Sequence, residues 1–332
     1  MTMPLLQVNH LVKRFPLKSG VISRTVGAVH AVEGISFSIA KGAVLSLVGE
    51  SGSGKTTAGR CLLRLIEPDS GDINFDGIDV RKADKRQLRI LRRRMQIIFQ
   101  DPFGSLNPRM TVLSMLSEIL RFHTLATRKD APRQVAALLD QVGLPASAAD
   151  RYPHEFSGGQ RQRLGIARAL AVRPDFIVAD EPVSALDVSI QAQILNLLQD
   201  LRHSLGLTYL FIGHNLDVVR HISDHVAVMY LGHIVEIAPA ERLFAGPVHP
   251  YTHTLLEAAP KTNPDRKTAR TLPKGEPPSP INPPAGCPFH PRCPIAEPAC
   301  SQKPQQLTEI ATGHCVACAV RTGPPSPDSV NL

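Results

Sequence analysis

No stretch of this 332-residue sequence approaches the roughly 20 consecutive apolar residues that a membrane-spanning helix needs, so none is expected. The opening residues, Met1 to His10, lack the basic-then-apolar plan of a secretory signal, which argues against export by that route. No internal repeat is apparent, so nothing points to a repeat architecture. Cysteine is nearly missing from most of the chain, because five of the six fall between Cys287 and Cys318. Scattered buried thiols would not cluster in this way. Without an export signal, a reduced compartment and metal chemistry suit the cluster better than structural disulfides. Charged residues supply 20% against 43% hydrophobic, the balance of a folded soluble protein, and the length suffices for one large domain or two smaller ones.

What is present is basic: 37 Lys and Arg against 29 Asp and Glu give a formal charge of +8. Nucleic acid, anionic lipid or a phosphorylated ligand would each suit such a surface, so charge alone selects none of them. Prolines crowd toward the C-terminal end, which marks the two ends of the chain as differently built.

Short apolar runs at Leu5 to Val8 and Ile35 to Ile39 read as strands, with turns at Gly34 and Gly42. Val44 to Val48 has the continuous apolar character of a buried parallel strand, and Thr57 to Ile66 continues as a helix stopped by Pro68 and Gly71. A basic stretch, Lys82 to Arg94, precedes a strand at Met95 to Phe99. Helical patterns follow at Val112 to Phe122 and Ala131 to Val142. Phe176 to Ala179, Thr208 to Ile212 and His225 to Met229 read as further strands, while Ile190, Ile194, Leu197 and Leu201 mark one helix face. Alternating strands and helices predict an α/β core interrupted by a helical insertion. From Pro260 a Pro-rich polar tract reads as a linker to the Cys-bearing segment, with a loose tail from Gly323.

The strand at Val44 to Val48 enters Gly49-Glu50-Ser51-Gly52-Ser53-Gly54-Lys55-Thr56, a match to the P-loop pattern, with Thr57 next in the helix. Glycines let successive backbone N–H groups turn inward around phosphate oxygens, and the helix adds the positive end of its dipole. Lys55 is placed to reach the terminal phosphates, and Thr56 supplies a hydroxyl to Mg²⁺. The bland alternative is a chance glycine loop, which the strand-before, helix-after placement disfavours. Phe176-Ile177-Val178-Ala179-Asp180-Glu181 places two carboxylates at the end of an apolar strand. Asp180 suits Mg²⁺, and Glu181 suits the general base that polarises an attacking water. Alone, such a pair is as readily structural; beside a P-loop its functional reading strengthens.

Phe156-Ser157-Gly158-Gly159-Gln160, preceded by Arg151-Tyr152-Pro153-His154-Glu155, resembles the signature sequence of ABC transporter ATPases, with Phe156 where leucine is usual. The resemblance implies further sites in order: Phe15 as the ring that stacks on adenine, Gln100 as the Q-loop glutamine that contacts Mg²⁺ or water, Ser184-Ala185-Leu186-Asp187 as the D-loop, and His214 as the switch histidine. Gly213-His214-Asn215-Leu216 departs from the usual Ser-His-Asp-Leu but keeps the histidine. Taken singly, Gln100 reads as a surface glutamine, and Phe15 and His214 as structural residues. In order, they make one nucleotide site. The family also implies that Ser157, Gly158 and Gly159, with Gln160 shaping the loop, close on the ATP held by a facing domain.

A narrower resemblance, over Leu5 to about Cys318, is to the ATPase subunits of bacterial peptide importers, a branch that includes dipeptide, oligopeptide, glutathione and nickel systems. It rests on Phe99-Gln100-Asp101-Pro102, Ser105-Leu106-Asn107-Pro108-Arg109, Asp180 through Ile190 and Gly246-Pro247-Val248-His249-Pro250-Tyr251-Thr252. It implies a P-loop ABC ATPase core over residues 1–259, with an N-terminal antiparallel β subdomain and a helical insertion at about residues 103–173. A Cys-bearing extension at 260–322 and a flexible tail at 323–332 would follow. It further implies ATP and Mg²⁺ as ligands and a second ATPase subunit, either a paralogue or a second copy. Two permeases, an extracytoplasmic binding protein and a peripheral place on the cytoplasmic face of the bacterial plasma membrane complete the expectation. Rival readings are a nickel or glutathione importer, a non-transport ABC ATPase on nucleic acid or ribosomes, and a metal or redox sensor.

Cys287, Cys293, Cys300, Cys315 and Cys318 are soft ligands whose spacing alone does not choose between zinc, an iron–sulfur centre and no metal. In the importer family Cys287, Cys293, Cys300 and Cys318 match cysteines associated with a 4Fe-4S cluster, which would staple a segment too small for a strong core. Cys315 falls outside that set.

Overall fold

Two β-sheets organise the described residues, 3–19, 24–258 and 275–322 of the computed structural model. In chain order the strands are β1 (Leu6–Ser19), β2 (Arg24–Ile39), β3 (Val44–Val48), β4 (Ser70–Phe75), β5 (Ile78–Asp79), β6 (Met95–Ile98), β7 (Phe176–Asp180), β8 (Thr208–Ile212), β9 (His225–Tyr230), β10 (His233–Pro239), β11 (Thr308–Ala311) and β12 (His314–Val316). The smaller sheet is antiparallel, in the order β2-β1-β4-β5. The larger runs β11-β12-β10-β9-β3-β8-β7-β6. Its β9, β3, β8, β7 and β6 are parallel, and β10, β12 and β11 continue it antiparallel.

The parallel strands β3, β7 and β8 are buried along their whole length, which is why their sequences are apolar without alternation. Their side chains still alternate between two cores. Val44 and Val48 face the larger one, with the helices Val112–Phe122, Ala131–Gln141 and Gly158–Leu170. Leu45 and Leu47 face the other, shared with the smaller sheet and the helix Lys55–Leu62. The β3 strand is therefore sandwiched, and the turn that follows it is held from both sides.

The smaller sheet is larger than the apolar runs predict. Strand β1 continues through Lys13, Arg14, Pro16 and Lys18 and pairs with β2 as far as Ser19↔Arg24, with several register shifts. A half-solvated hairpin with bulges tolerates polar residues and a proline that a buried strand excludes. At the far end of the chain, β12 joins β10 through Glu236↔Val316 and Ile237↔Cys315, so the C-terminal segment becomes part of the main sheet. The Pro-rich tract expected from Pro260 lies, up to residue 274, outside the described residues, as does the tail expected from Gly323. Among the described residues no helix is long and apolar enough to cross a membrane.

Candidate active site

The turn after β3 is wedged against neighbouring backbone. Gly49 has φ 152°, and a Cβ there would lie 2.1 Å from the Met229 carbonyl oxygen. Gly54 has φ 103°, and a Cβ there would lie 1.9 Å from that of Ala31. Only glycine fits either position. Lys55, at the start of the following helix, donates from Nζ to the carbonyls of Gly49 and Glu50, both at 2.8 Å, and to Ser53 Oγ at 3.2 Å. Burial holds its pKa below the usual lysine value, against the opposing pull of Glu181, Asp180 and Glu50. An anion set before this ammonium would relieve that penalty.

Thr56 Oγ1 donates to Asp180 Oδ1 at 2.8 Å. Asp180 is 1% exposed, and burial raises its pKa despite the Thr56 hydrogen bond and the charge of Arg60. A hydroxyl and a desolvated carboxylate side by side below the phosphate turn are hard oxygen donors that fit Mg²⁺, whose charge would reverse the burial penalty.

The next residue, Glu181, has a positive φ of 46°, a strained region for a non-glycine, with its N–H bonded to Ile212 O at 3.0 Å. The bend turns its carboxylate out of the sheet toward two partners. Gln100 Nε2 donates to Glu181 Oε2 at 3.0 Å, and His214 Nδ1 lies 3.2 Å from the same oxygen. Gln100 follows β6 and His214 follows β8, the strands on either side of β7, so parallel neighbours deliver all three side chains to one place.

These three line one cleft of about 560 Å³ with Phe15, Ser51, Gly52, Gly54, Lys55, Thr56 and Thr57. Phe15 is exposed, with Lys13 Nζ 5.3 Å from the ring centroid. Gly49, Glu50 and Ser53 build the turn without lining the cleft. Val29, His30, Ala31 and Pro280 also line it, and sequence reasoning named none of them. Pro280, from the C-terminal segment, accepts the His30 N–H through its carbonyl at 2.9 Å. No spacing rule signals a contact across 250 residues.

Ser157, Gly158, Gly159 and Gln160 do not line this cleft. Ser157 caps the helix Gly158–Leu170: its N–H donates to Gln160 Oε1 at 3.1 Å, and its Oγ accepts from Gln160 N at 3.4 Å. Gln160 therefore shapes the turn. Gly158 and Gly159 abut Leu186 and Ile190, where a Cβ would come within 3.5 Å and 2.5 Å. The signature turn thus sits beside the segment carrying Asp187, which stands at the N-cap position of the helix Val188–Leu205 without a side-chain capping bond. Phe156, 3% exposed in the larger core with the Arg151 guanidinium 4.3 Å from its ring centroid, fills the apolar place usual for leucine.

A family model described as "ABC transporter" matches residues 32–184, and one described as "Oligopeptide/dipeptide transporter, C-terminal region" matches residues 235–300. A Brucella ovis protein named as a peptide import ATP-binding protein is 54% identical over 315 residues, covering 95% of this chain and 97% of its own. The oligopeptide transport ATP-binding protein AppF of Bacillus subtilis is 51% identical over 317 residues, covering 95% and 96%. The chain belongs to the ATP-binding subunits of bacterial peptide ABC importers. Its fold is that of the α/β ABC ATPase. A dimeric ATP-binding cassette in a post-hydrolysis state with ADP and Pi superposes with a TM-score of 0.62 at 26% identity, over 71% of this chain and 98% of that one. The cbiO1 subunit of Clostridium perfringens gives the same score and identity over 73% and 91%.

One expectation for the importer ATPase fails. Among the described residues no group of three or more His, Cys, Asp or Glu is placed to hold a metal ion, which removes the 4Fe-4S cluster expected on Cys287, Cys293, Cys300 and Cys318. Cys287 and Cys300 are instead buried in the larger apolar core, with Cys293 packed against it. Burial pushes the Cys287 thiol up to about 11 and raises those of Cys293 and Cys318, which favours neutral thiols over metal-binding thiolates. The extension is held by Phe289, fully buried against Tyr230 and Tyr251, and by the pairing of β12 with β10.

Proposed function

We propose that this ABC ATPase binds ATP in the cleft between Phe15 and Glu181, pairs face to face with a second cassette, and energises uptake of dipeptides or oligopeptides through two permeases. The convergence of Gln100 and His214 on the Glu181 carboxylate carries this reading. The glycine turn and Lys55 grip the phosphates, and Phe15 stacks on adenine. Thr56, Asp180 and Gln100 hold Mg²⁺, which offsets charge on the phosphates. Glu181 takes a proton from the attacking water, Gln100 orients the carboxylate, and His214 reports the γ-phosphate. Ser157, Gly158 and Gly159, which do not line their own cleft, donate to the ATP of the partner. Asp187, beside them, joins the same face.

The dimeric state of the superposed cassette supports that pairing, and the names of the relatives support peptides as cargo. An exported binding protein delivers the cargo, and the ATPase works at the cytoplasmic face of the bacterial plasma membrane. Residues 1–259 act as the cassette, with the helical insertion at about 103–173 turned to the partner.

Glu181→Gln tests the reading. ATP binding should persist, turnover should fall about 100-fold or more, and a closed dimer should accumulate on size exclusion. In mixed dimers Ser157→Ala should impair the opposite site. Hydrolysis at full rate by a strictly monomeric species overturns the proposal.

A further inference from the structure

Every polar group of Glu50, the second residue of the phosphate turn, is engaged. Its carbonyl accepts from Lys55 Nζ, and its N–H donates to Tyr251 Oη at 2.8 Å. Its carboxylate receives Arg292 Nη1 at 3.1 and 3.2 Å. Tyr251 and Arg292 lie 201 and 242 residues away in sequence. Neither belongs to a motif of ATP chemistry.

Arg292 is built into this position. It closes the one-turn helix His290–Arg292, whose first residue is tied back by His290 Nδ1 to the Cys287 carbonyl at 2.8 Å. Its side chain is 7% exposed and reaches past Tyr230, whose hydroxyl lies 3.4 Å from Nη1. Phe289 seals the approach, edge-on to Tyr230 with ring centroids 5.3 Å apart. Among the described residues the carboxylate partner of Arg292 is Glu50. Desolvating a guanidinium is costly unless a carboxylate meets it, so the extension spends stability to put a positive charge behind the phosphate turn.

The electrostatic reason is plain. A carboxylate in a turn that cradles a triphosphate repels its ligand, and burial strengthens the repulsion. Arg292 both neutralises Glu50 and holds its carboxylate away from the cleft, which Glu50 does not line. Tyr251 fixes the same residue by its main chain. Its own position follows from Glu236, a fully buried carboxylate that accepts the N–H groups of Val248 and His249 at the start of the helix Pro250–Ala258.

We infer that Arg292 is a positioning residue for ATP binding: the C-terminal extension acts in cis, through Glu50, to set the charge and geometry of the P-loop. The inference rests on the ATP site proposed above and adds a role for the extension in the affinity of that site.

Binding of the fluorescent analogue TNP-ATP to the full chain tests it, with displacement by ATP. Arg292→Gln should weaken binding about tenfold, most strongly at low salt, because Glu50 is left unpaired. The loss should fall on KM for ATP rather than on kcat. Adding Glu50→Gln removes the repulsion and should restore binding to within about twofold of wild type, a rescue that a merely structural role would not give. Should Arg292→Gln fail to fold, Arg292→Lys carries the test: it keeps the charge but loses the planar guanidinium whose Nη1 meets both Glu50 oxygens, and should weaken binding about threefold, again reversed by Glu50→Gln. Unchanged binding in the folded Arg292 variants, or a double variant as weak as the single, overturns the inference. Wild-type protein that does not bind the analogue overturns the ATP site itself.

Discussion

Gln100 Nε2 donates to Glu181 Oε2 across 3.0 Å, joining the segments that follow two adjacent parallel strands. The bond fixes a carboxylate that the positive φ of Glu181 has already turned out of the sheet. A base oriented by a neighbour loses less freedom on reaching its transition state.

Removing that neighbour should therefore act on turnover. Gln100→Ala is expected to lower kcat about tenfold or more while raising KM for ATP less, as measured by steady-state phosphate release in the assembled transporter. A loss confined to KM would show that Gln100 serves binding alone.

Asp180 meets the Thr56 hydroxyl at 2.8 Å and is held short of its ordinary acidity by burial. Asp180→Asn keeps the hydrogen-bond acceptor and removes the charge. The magnesium concentration for half-maximal hydrolysis should rise about tenfold or more, and an unchanged magnesium titration would remove Asp180 from the ion's site.

How much of this was legible in the sequence depends on whether a feature is local. The apolar run at Val44 to Val48 reads directly as a buried parallel strand, Thr208 to Ile212 as a strand, and Val112 to Phe122 as a helix, because burial on both faces leaves a continuous apolar run and burial on one face a periodic one. The bulged outer part of β1 left no such mark. The meeting of Gln100, Glu181 and His214 is a product of strand order, which the sequence does not print. The cysteines misled for a physical reason: thiols are ligands when ionised and small apolar groups when buried, and Cys287 and Cys300 are buried beside Phe289.

Two glycines of the phosphate turn separate strain from collision. At Gly54 an added Cβ strikes the Ala31 carbonyl, whereas at Gly52, with φ 77°, nothing lies within 4 Å. Gly54→Ala should lose nucleotide binding and about 2–4 kcal/mol of stability, and Gly52→Ala only about 1–2 kcal/mol. Urea midpoints of the two variants give the comparison, and equal losses would contradict it.

His249 supplies a pH dependence. Burial, with a smaller contribution from the charge of His253, pushes its pKa from 6.5 down to about 3. Its Nδ1 accepts the Tyr251 N–H at 3.1 Å, which protonation would forbid. The folded value lies below the unfolded one, so the neutral ring's contribution is fully present above pH 6.5 and is lost as pH falls from 6.5 toward 3. Stability should drop by up to about 1.4 kcal/mol per pH unit there from this group. His249→Asn, which keeps an acceptor, should show a shallower acid limb in urea unfolding at pH 7 and pH 5. Parallel limbs would assign the acid sensitivity to groups other than His249.

The hairpin of β11 and β12 occupies the flank of β10 that would otherwise offer unpaired amides and carbonyls. A chain cut back to residue 258 would present that flank, with the uncovered rings of Tyr230 and Tyr251, as a template on which other copies could add strands. The C-terminal segment thus moves this edge of the sheet from β10 to the short, exposed β11, which offers less to such pairing.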